Sequence, residues 1–487
     1  MEDDLKDYIS KKTKRRVALE RAFGSKSYAF FVSLSVLIGH ITATEIFVMP
    51  ILCILASIAF FTCSSIKHFL PLLLTFVYLV NAKHSPGVPY YSDYYSSGYR
   101  ILIIVFSISL LVASFIYYLM KRVIPRIKGI PPMLIPTALL SVTFLLNGAG
   151  YEGYKWASLG YGAAQIAVYF VLFYAIYYGL KDEDTDGLVS HLVYLASLIA
   201  MVLIGEMIFM LTTYDDIISA DGAIVKEMVI LGWGVCNPIG FSIGILIPLF
   251  ALGTQKDRER GVYYYLMMVT CTLFAILTQS RNALLTAGAA FVSLAFIGCF
   301  IGNNKRLFRV MGGILSVGAV ITAFVFYDKI SSLMASLINM GFADNGRFSL
   351  WKLAIDYFKD SPVFGIGFFS FDDTSYYNVA GFLPHMAHNT LMILLSSTGT
   401  VGTVAYAIYR ISTLKPFFKK ITLEKMILFT VVAYFILSSL VDNFVFYFYT
   451  AFLYITVLAV TQNIYDRQVK QNEADIFRNK SRNNRKG

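Results

Sequence analysis

Long apolar runs constrain the fold of this chain more than any other feature. A helix that spans a bilayer needs about 20 mostly apolar residues. Strands of a membrane barrel would instead alternate polar and apolar residues, which these runs do not. The sequence therefore predicts an all-α fold, a polytopic transmembrane helical bundle of about 12–14 spans, because three of the runs are short. The fourteen runs cover residues 28–43, 46–63, 69–81, 101–120, 132–147, 158–180, 188–213, 228–252, 262–279, 282–301, 308–327, 389–409, 423–441 and 444–462.

The composition excludes a water-soluble protein. Hydrophobic residues make up 57% of the 487 residues and charged residues 15%, against roughly 45–50% and about 25% in soluble domains. The net charge of +11 lies mostly in short segments between apolar runs, which is typical of membrane topology and not of a nucleic-acid-binding face. The five cysteines lie in or beside apolar runs without CxxC spacing, so neither a zinc site nor a disulfide framework is expected.

The basic segments predict the orientation of the chain. Most Lys and Arg residues fall on the side that carries the N-terminus, which the positive-inside rule assigns to the cytoplasm. The motif KKTKRR at Lys11–Arg16 precedes two apolar runs in close succession, which favours a helical hairpin over a cleaved signal peptide. Both termini are therefore predicted to be cytoplasmic. The predicted regions are a basic N-terminus at 1–27, a transmembrane bundle at 28–327, a large external loop at 328–387, C-terminal transmembrane helices at 388–462 and a basic tail at 463–487.

The external loop at 328–387 is far longer than an ordinary connection. Its apolar residues recur with a helical period around Trp351 and Phe358. We therefore expect a helix in this loop, folded against the bundle. Long external loops commonly carry function.

Three residues on the predicted external face carry the strongest chemical signal: Arg281, Arg347 and His388. The planar guanidinium of arginine matches phosphate oxygens two at a time, although an arginine here could also be an interfacial anchor. An imidazole at His388 could take a proton from a hydroxyl, although it could also be a polar residue satisfied at an interface.

Glycine and proline residues mark close approaches of the backbone. Pro362, Gly365 and Gly367 in SPVFGIG predict a tight turn. Gly399 and Gly402 lie in a span, where small residues allow close packing between helices.

The acidic residues are less specific. The external pairs Asp215–Asp216 and Asp372–Asp373 could bind a divalent ion, but solvated loops are the better interpretation. His385 and His388 lack a further ligand at metal-binding spacing, so no metal site is predicted. Glu206 lies inside a span, where ionisable residues are costly and often functional, and the sequence names no partner for it.

Taken together, these motifs resemble the O-antigen ligase and O-antigen polymerase superfamily. The resemblance rests on GRFSLWKLAIDYFKDSPVFGIGFFSF at Gly346–Phe371 and HNTLMILLSSTGTVG at His388–Gly402. The segments TQSRNALL at Thr278–Leu285 and NPIGFS at Asn237–Ser242 resemble further motifs of that family. The signature region covers about residues 265–405.

The resemblance implies a lipid-dependent glycosyltransferase of the C type, inverting and independent of metal and other cofactors. Its donor would be a glycan on undecaprenyl diphosphate at the outer face of the bacterial cytoplasmic membrane, and its acceptor a hydroxyl of another glycan. A chain-length regulator and a flippase are the further partners implied. Breaking the anomeric C–O bond leaves negative charge on a diphosphate, which fixed cations can stabilise. The residues implied as catalytic are His388, Arg281 and Arg347, and those implied in substrate binding are Arg281, Arg347, Asn389, Ser280, Trp351, Gly365, Gly367 and Asn237.

Several functions remain open on the sequence. We favour a polymerase of surface polysaccharide, with a ligase that transfers glycan to lipid A core, protein or wall polymer as the alternative. A transporter of lipid-linked glycans is disfavoured, because the spans hold almost no Lys or Arg and show no internal repeat. A non-catalytic envelope assembly protein and a metal-dependent transferase are the remaining alternatives.

Overall fold

The computed structural model describes residues 14–79, 98–214, 217–219, 224–325, 327, 331, 347–370, 387–419 and 421–483. Within these residues the chain is a bundle of helices with one short antiparallel hairpin, formed by β1 (Ile230–Leu231) and β2 (Gly234–Val235). The predicted all-α class is confirmed. The helices are α1 (Lys14–Phe23), α2 (Lys26–Ile41), α3 (Glu45–Thr62), α4 (Leu70–Phe76), α5 (Gly98–Tyr118), α6 (Leu134–Leu145), α7 (Ala157–Ile166), α8 (Phe173–Gly179), α9 (Thr185–Thr213), α10 (Cys236–Gly244), α11 (Ile247–Lys256), α12 (Gly261–Leu277), α13 (Arg281–Phe300), α14 (Lys305–Val325), α15 (Arg347–Asp360), α16 (Thr390–Phe418), α17 (Leu423–Ser439) and α18 (Phe448–Asn483).

Seven helical segments of the described chain are long and apolar enough to cross a membrane, or eight if the bent pair α1 and α2 forms one span. Other predicted runs form shorter apolar helices within the described residues. The run at 132–147, for example, is helical only over Leu134–Leu145 and is followed by Gly148 and Gly150 at positive φ. The number of apolar runs therefore exceeds the number of full-length helices. The seven segments are Glu45–Thr62, Gly98–Arg126, Ala157–Gly179, Thr185–Thr213, Cys236–Lys256, Arg281–Phe300 and Thr390–Phe418.

The span made of α10 and α11 forms the centre of the bundle. In its most apolar stretch 94% of the residues are buried, against 17% for the span at Gly98–Arg126. The central span packs on α12, α13, α9 and α17. The span at Gly98–Arg126 packs chiefly on α3 and leaves most of its apolar side chains for lipid, as a peripheral helix of a membrane bundle does.

One end of the bundle, which we call the site end, carries the starts of α13 and α16 and the end of α17. The side chain of Asn282 in α13 donates a hydrogen bond to the carbonyl of Ser438 in α17 at 3.1 Å. The helix α15 packs on α16 near this end, so the predicted helix in the long loop is confirmed. The rest of that loop lies outside the described residues, apart from Ser331, residues 361–370 and Ala387.

The segment 362–367 inserts into a break in α16. In a regular helix the amides of residues 400 and 401 would donate to the carbonyls of residues 396 and 397. Here Thr400 and Val401 donate instead to the carbonyls of Pro362 and Val363, at 2.9 and 3.2 Å. The freed carbonyls of Ser396 and Ser397 accept from the amides of residues 366 and 367, at 2.8 and 3.0 Å. We call this arrangement the splice; it satisfies the backbone groups that the break would otherwise leave unpaired.

Glycine makes the splice possible. Gly399 sits at the break with φ +62°, and Gly365 and Gly367 also have positive φ. A Cβ atom at Gly365 would collide with the backbone of Ser397, and one at Gly399 with the carbonyl of Val363. The tight turn predicted at SPVFGIG is therefore present as a close approach between two backbones.

Candidate active site

His388 lies at the start of α16 and contacts a buried carboxylate. Its Nδ1 atom is 3.3 Å from Oδ1 of Asp442, in the turn that follows α17. The side chain of His388 is 30% exposed and that of Asp442 is 3% exposed. A carboxylate on Nδ1 favours the tautomer with its proton there, which leaves Nε2 free to accept a proton.

Asp442 is held by groups from three parts of the chain. Its Oδ2 atom accepts a hydrogen bond from the side chain of Asn237 at 3.1 Å, and Oδ1 accepts from the amide of Asn443 at 2.8 Å. The hydroxyl of Thr390 donates to the carbonyl of Asp442 at 3.3 Å. Because each carboxylate oxygen has a donor, the buried charge is stabilised and its orientation toward His388 is fixed.

Arg347 reaches the same turn. Its Nη1 atom donates to the carbonyl of Val441 at 3.1 Å, next to Asp442 in sequence. This contact brings the start of α15 beside His388. The turn 438–443 thus joins α13, α15, α16 and the start of α10.

Arg281 is half-buried and is the first residue of α13. The preceding Ser280 caps the helix, because its hydroxyl accepts from the amide of Ala283 at 3.3 Å. Asn282, the next residue, is the one bonded to Ser438. Arg281 is therefore anchored on both sides at the edge of the turn 438–443.

The remaining residues expected to bind substrate make contacts within the protein. The side chain of Asn389 accepts from the amides of Leu391 and Met392 and caps α16. The indole of Trp351 donates to the carbonyl of Ala387 at 2.8 Å, which fixes the residue before His388. Gly365 and Gly367 belong to the splice. A contact of these residues, of Ser280 or of Asn237 with substrate stays a prediction.

The structure supplies the partner that Glu206 lacked in the sequence. Its Oε2 atom accepts from the indole of Trp233 at 2.7 Å, and its Oε1 atom is 3.9 Å from Nδ1 of His40. Trp233 lies in the hairpin directly before Asn237, with its ring between those of Tyr78 and Tyr449. Glu206 therefore anchors the hairpin that delivers Asn237 to Asp442.

Sequence reasoning missed Asp442. It occupies a short connection between the last two predicted spans, on the same predicted face as His388, and that position was the available signal. Asp215, Asp216, Asp372, Asp373 and His385 lie outside the described residues. Within the described chain, no three His, Cys, Asp or Glu residues group as metal ligands would.

A comparison with known families finds a match within this chain. Residues 266–407 match the family model described as O-antigen ligase. The match includes Arg281, Arg347 and His388 but neither Asn237 nor Asp442. No curated protein matches the chain. The matched segment, together with the membrane bundle, supports the resemblance of this chain to the O-antigen ligase and O-antigen polymerase superfamily.

Proposed function

We propose that this protein is an integral membrane glycosyltransferase that moves a glycan from undecaprenyl diphosphate to a hydroxyl of an acceptor glycan. The observation that carries the proposal is the His388–Asp442 pair on the turn that Arg347 contacts and that binds the start of α13, where Arg281 lies. The family match supports a ligase or polymerase type of enzyme. The donor, the acceptor and the direction of transfer are our proposal.

His388 acts as the general base. As the acceptor oxygen attacks the anomeric carbon, its proton passes to Nε2 of His388, and Asp442 stabilises the imidazolium that forms. A positioned base of this kind contributes about 10²- to 10⁴-fold in rate. Asp442 is buried, so it acts through His388 and not on the substrate.

Arg281 and Arg347 stabilise the leaving group. The bond between the anomeric carbon and the diphosphate oxygen breaks, and its electron pair stays on the diphosphate. Guanidinium groups fixed by their surroundings neutralise this charge without a cost of reorganisation at the moment of reaction. A single displacement of this kind inverts the configuration at the anomeric carbon, and the two cations take the role that a metal ion has in other transferases.

The polymerisation of surface-polysaccharide repeat units at the outer face of the cytoplasmic membrane is the form of this reaction that we favour. In this assignment the termini and the opposite end of the bundle are cytoplasmic, as the basic residues predict. A ligase that uses lipid A core, protein or wall polymer as acceptor is the second candidate, and the matched family is described as O-antigen ligase.

An assay of the purified protein in detergent tests the proposal. It would receive a labelled undecaprenyl-diphosphate repeat unit as the sole glycan. A ladder of longer lipid-linked products, absent with Arg281→Ala and present with Arg306→Ala at the other end of the bundle, is the expected result. An untouched donor would contradict a polymerase. Product that forms only after an acceptor such as lipid A core is added would establish the ligase.

A further inference from the structure

A cavity of about 470 Å³ opens at the end of the bundle opposite His388. It lies between the starts of α2, α9 and α12 and the ends of α8 and α11. The length of α12 separates the cavity from the site end. This helix begins beside the cavity at Gly261 and ends at Leu277, shortly before Arg281. The cavity is therefore distinct from the candidate active site.

Cations outnumber acids in the wall of this cavity. The wall contains four basic side chains, those of Lys26, Lys67, Lys256 and Arg260, and two carboxylates, those of Glu183 and Asp257. Lys67 is neutralised by Glu183 at 2.6 Å, and Lys256 by carboxylates outside the wall. The remaining two cations are the ones available to a ligand.

Lys26 and Arg260 are only weakly engaged by the protein. Among the described residues no carboxylate lies within 4 Å of the Lys26 ammonium, whose contact is the ring of Tyr194 at 5.8 Å from the centroid. Arg260 is 62% exposed, lies 3.8 Å from Asp257 through Nε, and interacts with the side chain of Tyr264. Its terminal nitrogens form the part of the guanidinium that matches phosphate oxygens.

The rest of the wall suits an amphiphile. Apolar side chains such as Phe23, Leu188 and Val193 line it beside the rings of Tyr194 and Tyr264. The wall also contains His68, which is 8% exposed and whose Nδ1 atom has no hydrogen-bond partner among the described residues. Basic pockets between helices at the cytoplasmic side of membrane proteins bind anionic lipid headgroups.

We propose that this cavity binds a phosphate-ester headgroup, the anionic group of a phospholipid of the surrounding leaflet. Lys26 and Arg260 contact the phosphate, and the apolar wall accommodates the start of the acyl chains. The proposal is independent of the reaction at His388, because the cavity shares no residue with that site.

Native mass spectrometry of the full-length protein in neutral detergent tests this proposal. Phosphatidylglycerol is titrated onto the wild type, onto Lys26→Gln/Arg260→Gln, and onto the matched control Lys128→Gln/Arg306→Gln, which removes two exposed cations outside the cavity. We expect the wild type and the control to retain the lipid. We expect the cavity variant to bind it at least about tenfold more weakly.

Two further arms identify the source of the phosphate. Zwitterionic phosphatidylcholine is expected to bind more weakly than phosphatidylglycerol, and millimolar inorganic phosphate is expected to compete for the site. Equal retention of phosphatidylglycerol by all three proteins, or equal retention of the two lipids by the wild type, would overturn the proposal. Thermal stabilisation by inorganic phosphate without retention of either lipid would contradict a lipid as the source.

Discussion

His388 and Gln279 are two of the four non-glycine residues with positive φ in the described chain, at +48° and +53°. Such a backbone costs of the order of 1–3 kcal/mol and persists where the surroundings impose it. At His388 the surroundings are the indole of Trp351 on the preceding residue and the cap at Asn389 on the following one. Both strained positions lie near candidate site residues: His388 is the candidate base, and Gln279 stands two residues before Arg281.

The two arginines lead to a prediction at the residue scale. Removing one donor that stabilises a developing charge costs about 100- to 1,000-fold in rate. We therefore expect Arg281→Ala and Arg347→Ala each to lower the rate of glycan transfer by about this factor at saturating donor, measured with purified protein. Arg306→Ala, an exposed cation at the other end of the bundle, should leave the rate unchanged. A rate for either site variant within a factor of about three of wild type would exclude that arginine from charge stabilisation.

Sequence patterns indicated His388, Arg281 and Arg347 because cations and imidazoles are rare on the predicted external face. They could not indicate which protein groups each residue uses. Ser280 and Asn389 are polar residues at the right positions, yet in the structure their side chains cap helices. The sequence did not indicate Asp442, because its carboxylate contacts His388 only through the packing of α16 against α17.

At the scale of the elements, the splice holds the segment after α15 against α16. It replaces two helical hydrogen bonds with four bonds between segments, so the path of the chain from Arg347 to Gly367 is tied to the helix that begins beside His388. The sequence indicated close approach from the glycines alone. Only the structure shows that this segment pairs with the backbone of α16 on both sides of Gly399.

Gly365→Ala tests the splice. The substitution adds a Cβ that collides with Ser397 and forces alanine into a left-handed backbone, which costs about 1–3 kcal/mol before any collision. We expect a clear fall in the thermal unfolding midpoint of the purified protein. The matched control is Gly288→Ala in α13, where nothing lies within 4 Å of the new Cβ, and its midpoint should stay or rise slightly. Equal midpoints for the two variants would show that the splice does not stabilise the fold.

The hairpin β1–β2 gives a second prediction at this scale. Trp233→Phe keeps an aromatic ring, although a smaller one, between Tyr78 and Tyr449 and removes the donor to Glu206. Loss of one partner of a buried hydrogen bond costs about 1–3 kcal/mol, because the other polar group is left unsatisfied. We expect lower thermal stability together with slower transfer, because Asn237 follows the hairpin, and we expect Glu206→Gln to retain more of both. Wild-type stability and transfer rate in Trp233→Phe would show that the hydrogen bond to Glu206 does not stabilise the site.

At the scale of the whole molecule, the account requires the site end to face outward. Lys128 and Glu152 are exposed residues in connections at opposite ends of the bundle. Single cysteines at these positions, in a variant without the five native cysteines, report the orientation. A thiol reagent that does not cross membranes should label position 152 in intact cells and position 128 only after permeabilisation. The reverse pattern would place the site end in the cytoplasm and contradict a donor at the outer face.

The all-α membrane bundle followed from the sequence because the length of an apolar span is set by the thickness of the bilayer. The breaks in the helices did not follow from it. Whether a run such as 132–147 forms one full helix depends on turns at particular residues, here Met133, Gly148 and Gly150 with their positive φ. The connection after this helix also contacts the segment that forms the splice. The amide of residue 148 donates to the carbonyl of residue 364, and the amide of residue 155 donates to the hydroxyl of residue 370.

The central claim is that His388 is the base and that Asp442 acts through it. Single-turnover transfer from the lipid-linked donor, measured for His388→Gln, Asp442→Asn and the double variant, tests this claim most directly. Donor binding is measured alongside and should match wild type in all three. We predict a loss of about 10²- to 10⁴-fold for His388→Gln, a smaller loss for Asp442→Asn, and a double variant no slower than His388→Gln, because residues that act as a unit are not additive. Unchanged transfer in Asp442→Asn, or losses that multiply in the double variant, would contradict the account.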